Sequence, residues 1–62
     1  MKAADLNKHT HQGKTITGVD THGKRWTFRL HNVIHEDGLV FLCHQKHGAR
    51  PFAPDADVEV TP

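Results

Sequence analysis

The segment Lys24–His44, KRWTFRLHNVIHEDGLVFLCH, leaves the chain the fewest ways to fold. It holds Trp26, Phe28 and Phe41, three of the four aromatic residues, and the densest apolar run, Leu39–Cys43. Trp26, Phe28 and Leu30 alternate with Arg25, Thr27, Arg29 and His31. That is the period-two pattern of a half-buried strand with a basic outer face. Asn32-Val33-Ile34 reads as a continuation of this strand past a bend. Glu36-Asp37-Gly38 has the chemistry of a tight hairpin turn, with Gly38 at the left-handed position. The next strand does not alternate. Leu39, Phe41 and Cys43 fall on one face; Val40, Leu42 and His44 fall on the other. A strand apolar on both faces is normally covered on both, and a single small barrel covers only one. Val40 and Leu42 are therefore the expected interface, against the chain's own termini or a second copy, and a homo-oligomer is expected.

The flanking segments fit around this centre. Lys14–Asp20 (KTITGVD) is β-branched and reads as a strand, with Gly18 marking a bulge or sharp bend. Asp20-Thr21-His22-Gly23 supplies the turn into Lys24. Residues 2–8 predict a short helix docked through Leu6, and His9–Gly13 a loop. Gln45–Ala56 reads as loop, because Pro51 and Pro54 cannot donate to a ladder; Phe52 between them is expected to plug an open end. Asp57–Thr61 alternates again, with Val58 and Val60 inward, as a final edge strand. The expected fold is all-β: one domain over residues 1–62, a small antiparallel barrel of four to five strands, SH3-like or Sm-like, with a short N-terminal helix. Residues 1–13 are a flexible or short helical N-terminal segment, and 51–62 an acidic tail. The alternative is an open meander sheet with a helix on one face.

Composition narrows the chemistry. A chain of 62 residues buries only about 60% of its unfolded surface, so a staple or a partner is a common need. Cys43 is the single cysteine and rules out an internal disulfide. It also suits a reducing compartment, and with no secretory signal and no apolar run near the roughly 18 residues of a membrane span, a cytoplasmic protein that engages no membrane is expected. The absence of serine excludes serine-nucleophile mechanisms. Charge is unevenly distributed: residues 1–50 carry a balance of +4, whereas residues 51–62 carry −3.

Four chemistries follow from these residues. Cys43, His44 and His47 are the candidate metal ligands, and zinc is the metal their donor set would suit. Neighbouring strand residues diverge, however, and no Cys-x-x-Cys pair is present, so no cofactor is expected. Cys43 with His44 or His47, or His35-Glu36-Asp37, would be the catalytic candidates. Cys43 closes an apolar run and the acidic group sits on a turn, so the protein is expected not to be an enzyme. Lys14, Lys24, Arg25, Arg29, His31, Lys46 and Arg50 form a basic stripe that predicts nucleic-acid binding, with regulation of a nucleic-acid machine as the expected role. The competing expectation is a protein-binding adaptor or inhibitor that self-associates or adds a strand to a partner sheet.

Overall fold

In the computed structural model, which describes residues 1–62, the alternating segments become six strands. They are β1 (Thr15–Val19), β2 (Arg25–Arg29), β3 (Asn32–Glu36), β4 (Leu39–His44), β5 (Gly48–Phe52) and β6 (Glu59–Thr61). A 3-10 turn over Ala3–Asp5 and a one-turn helix α1 (Lys8–His11) precede them. The chain is thus mostly β, in two three-stranded antiparallel sheets ordered β2-β1-β6 and β3-β4-β5. No ladder joins the sheets. Single backbone bonds link them instead, from His31 N to Cys43 O (2.8 Å) and from Thr21 N to Pro51 O (2.9 Å).

The β3–β4 hairpin turns on Asp37 and Gly38, both at positive φ (52° and 73°). Two consecutive left-handed residues make a type I′ turn, whose twist matches that of the flanking strands. Asn32–Ile34 does not extend β2, as the sequence suggests, but opens this separate strand. Gln45–Ala56 differs from expectation more sharply, because residues 48–52 pair with β4 from Val40↔Phe52 to His44↔Gly48. Pro51 is tolerated there because β5 lies at the edge of its sheet. The helical residues are also displaced. The 3-10 turn occupies part of residues 2–8, and the α-helical turn forms where a loop was expected, capped by Asn7 Oδ1 accepting from Thr10 N (2.8 Å).

The core comprises Ala3, Leu6, Ile16, Phe28, Leu30, Val40, Leu42, Phe52 and Val58. Leu6 docks as the sequence suggests, and Phe52 is fully enclosed. Gly18 forms no bulge, since the β1–β2 register runs unbroken through Gly18↔Trp26. Its role is clearance: a Cβ there would lie 3.2 Å from Phe52 Cε2 and 3.3 Å from Val58 Cγ2. The N-terminal segment is stitched along the chain's later part. Ala3 N donates to Ala56 O, Ala4 N to Pro54 O and Val58 N to Met1 O. Lys2 Nζ pairs with Asp57 Oδ1 at 3.0 Å.

Val40 and Leu42 require correction as interface residues. They are 1% and 0% exposed and pack in the chain's own core, so neither is a surface. The two-sided apolar character of β4 is real, but the outward side is the other one. Cross-strand partners share a face, which places Ile34, Phe41 and Pro51 in one outer row, Cys43 and Ala49 in the next, and Leu39 beyond.

Candidate nucleic-acid interface

β2 and β5 each have a free edge, and the space between their inner faces is closed by side chains rather than by a ladder. Alternation sends Trp26 inward from β2, but at an open edge an inward ring remains half-exposed. Asp20 fixes it. This carboxylate is 8% exposed. Its Oδ2 accepts from Trp26 Nε1 at 2.7 Å, and its Oδ1 accepts from the backbone N–H groups of His22 and Lys24 at 2.8 and 3.0 Å. The indole bond, then the two amides, hold the Asp20 carboxyl below the ordinary carboxylate value against the opposing effect of burial; the His22 charge adds to the lowering.

Imidazoles and cations gather around the indole. His47 lies 5.3 Å from Trp26 between centroids, and His44 lies 5.2 Å from Phe28. The two imidazoles stack at 4.8 Å and 28°. The β4–β5 turn builds this pair: His44 Nδ1 accepts from the backbone N–H groups of Lys46 and His47 at 3.1 and 3.2 Å. Lys24 Nζ sits 4.3 Å and Arg50 Cζ 4.9 Å from the Trp26 centroid. Arg50 faces inward from β5, opposite Leu42, and its Nη2 donates to His47 O at 2.6 Å. Its Nε is enclosed without a hydrogen-bond partner. His47 is exposed overall, yet its ring is packed on one side. That loss of solvent, then the charges of His44, Arg50, Lys46 and Lys24, push its pKa below 6.5.

The sequence-derived basic stripe therefore divides. Lys24 and Arg50 meet at the indole, and Lys46 sits in the turn beside them. Arg29 and His31 lie at the other end of β2, where Arg29 Nε donates to Gly13 O at 3.1 Å and both residues line a cleft with His44. Lys14, half-buried, lies just before β1, its carbonyl accepting from Leu30 N. Arg25 stands apart, lining a separate shallow groove with Val19, Met1, Asp57 and Glu59. In that groove Asp57 is paired with Lys2, which lowers its pKa first through the hydrogen bond and then through charge.

Trp26 is the functional candidate that alternation assigned wholly to the core, whereas Phe28 is buried as expected; Asp20 is the support it read only as turn chemistry. The metal set is not assembled. Cys43 points to the opposite face of β4 from His44, and no group of three or more His, Cys, Asp or Glu side chains is placed to hold a metal. Burial also raises the Cys43 thiol pKa, which works against a thiolate nucleophile. No helix is long and apolar enough to cross a membrane. Comparison with known proteins found no matching family model, no curated protein and no solved structure similar to this chain.

Proposed function

We propose that this protein is a non-enzymatic binding module that takes single-stranded nucleic acid along the seam between β2 and β5. The observation that carries this reading is the indole of Trp26 flanked by Lys24, Arg50 and the stacked His44–His47 pair. Proteins that hold single strands combine cations for the phosphates with flat rings for the bases. Magnitudes favour exchange at the indole. A cation–π contact at an exposed site contributes roughly 0.5–1 kcal/mol, whereas a stacked base contributes about 1–3 kcal/mol. A base can thus displace Lys24 from the ring, and the released ammonium is then free for phosphate. We read the two sheets as an SH3-like barrel left open at this seam. Regulation of a nucleic-acid machine in the cytoplasm is the setting in which so small a module would act.

Trp26 is the only tryptophan, so its fluorescence reports the seam directly. Titration with short single-stranded DNA and RNA at several salt concentrations should quench it, with affinity falling as salt rises. Lys24→Glu/Lys46→Glu should weaken binding more than tenfold and flatten the log–log salt slope by about 1.4, the value for two phosphate contacts on a single strand. No quenching at low salt, or unchanged affinity in the doubly reversed variant, would remove the basis for the proposal.

A second reading rests on a different observation, the apolar outer face of β3–β4–β5. Ile34 is 40% exposed, and Leu39, Phe41 and Pro51 are half-buried beside it. Contiguous apolar surface of this kind often marks self-association or a protein partner. Three strands about 4.8 Å apart with five residues at about 3.3 Å make a face of roughly 14 by 17 Å. That is well short of the about 800 Å² each partner of a stable pair contributes. Self-association through it is therefore weak and concentration-dependent. Sedimentation across a concentration series should show it, and Phe41→Glu should abolish it. A monomer at every concentration excludes this reading.

A further inference from the structure

At the end of β2 away from the Asp20 turn, a cleft of about 330 Å³ opens between the two sheets, with Gln12, Arg29, His31, His44 and Gln45 among its walls. Its polar groups are preset. Arg29 is held by its Nε bond to Gly13 O at 3.1 Å, which leaves both Nη groups free to donate. His44 Nδ1 already accepts from two backbone amides, so the ring's donor is Nε2–H. Gln12 Nε2 donates to His31 O at 3.1 Å, which orients that amide and leaves its oxygen as an acceptor. Gln45 adds a further amide. No carboxylate lines the cleft.

We propose that this cleft binds a phosphate monoester, borne either by a free nucleotide or by the terminus of a strand. A guanidinium whose fork is oriented by its own Nε contact suits the paired oxygens of a phosphate, and an imidazole N–H supplies a donor from a second wall. The space also exceeds the needs of inorganic phosphate and falls at the lower end of pockets that enclose small organic ligands, about 300–1,000 Å³. The attached sugar and base therefore have room, and the Gln12 oxygen and Gln45 amide are the groups available to their polar edges. The site shares His44 with the Trp26 seam but centres on Arg29, and it does not require the single-strand reading, because its ligand need not be a polymer.

Nuclear magnetic resonance of the full chain tests this, with a nucleoside 5′-monophosphate as the first probe and the unphosphorylated nucleoside as control. The monophosphate is expected to shift the Arg29 Nε–H and His44 ring signals in a saturable way, and the nucleoside is not. Arg29→Gln should weaken the monophosphate at least tenfold. Arg29→Lys, which keeps the charge and loses the fork, should also weaken it, so the result does not depend on one variant folding. Oligonucleotides with a 5′-phosphate, a 3′-phosphate or hydroxyl ends then separate the sources. Tighter binding of one phosphorylated end assigns the site to strand termini; equal binding of all three assigns it to free nucleotides. Absence of shifts at millimolar monophosphate, equal shifts with the nucleoside, or retained affinity in both Arg29 variants overturns the proposal. If the monophosphate binds while hydroxyl-ended strands do not quench Trp26, the seam reading fails and this one stands.

Discussion

Asp20 concentrates several roles in one side chain, since it closes the β1–β2 turn through two amides and sets the indole through Nε1. Its pKa is lowered on folding, so the folded state favours the carboxylate. The stability this confers is complete above the unfolded value near 3.8 and is lost as pH falls through the depressed folded value. Asp20→Ala should therefore lower the urea midpoint at neutral pH and red-shift Trp26 emission, and the difference from the wild type should shrink in strong acid. His47 acts in the same direction, at higher pH. A base whose pKa is lowered on folding takes its proton first in the unfolded chain, so stability falls as pH drops below 6.5. The wild type should lose stability relative to His47→Gln over that range, as urea titrations at several pH values would reveal. At this scale the cations were legible in the sequence, because charge needs no partner to be recognised. The Trp26 platform was not. Period two gives the face of a residue, but it does not say whether the sheet beside that face ends in an open seam.

Among the elements, β4 and β5 show where pattern reading succeeds and where it stops. The Asp37-Gly38 turn and β4 after it could be placed because the turn residues and the hydrophobic run agree, whereas β3 before it reads as a continuation of β2. β5 could not, because its sequence, Gly-Ala-Arg-Pro-Phe, has a proline and little β-propensity; tertiary pairing with β4 overrides both. Which face of β4 goes inward was equally undetermined, as Leu39, Phe41 and Cys43 are as apolar as Val40 and Leu42. The choice is made by partners remote in sequence, Phe52 from β5 and Leu6 from the N-terminal segment, which supply the core around Val40 and Leu42. Gly18 belongs to this scale too. Phe52 and Val58 are 0% and 1% exposed and have little freedom to retreat, so Gly18→Ala should destabilise the domain by about 1–3 kcal/mol through overpacking. Denaturant unfolding would measure the loss.

The whole molecule is held by few residues, and each carries much of the stability. Leu6 is 1% exposed and docks the N-terminal segment on both sheets' shared core. Leu6→Ala should cost about 2–5 kcal/mol, a large share of what a domain of this size has in total. Thermal melts followed by far-ultraviolet circular dichroism should show a large fall in midpoint. Lys2→Ala, by contrast, removes only an exposed ion pair, with side chains 53% and 83% exposed, and should change the midpoint little. The all-β class and the single hydrophobic centre could be read from the chain. The division into two sheets could not, because it depends on which edges remain unpaired.

The stitching of residues 1–6 to residues 54–58 has a consequence for how the protein is made. Ala3, Ala4 and Leu6 leave the ribosome well before their backbone and core partners, Pro54, Ala56 and Val58. At about 5–20 residues per second, synthesis leaves the early core residues without those partners for several seconds. Pairings this distant also form slowly once available. Folding is therefore completed only after β6 has emerged, and until then Ala3 and Leu6 lack partners that bury them.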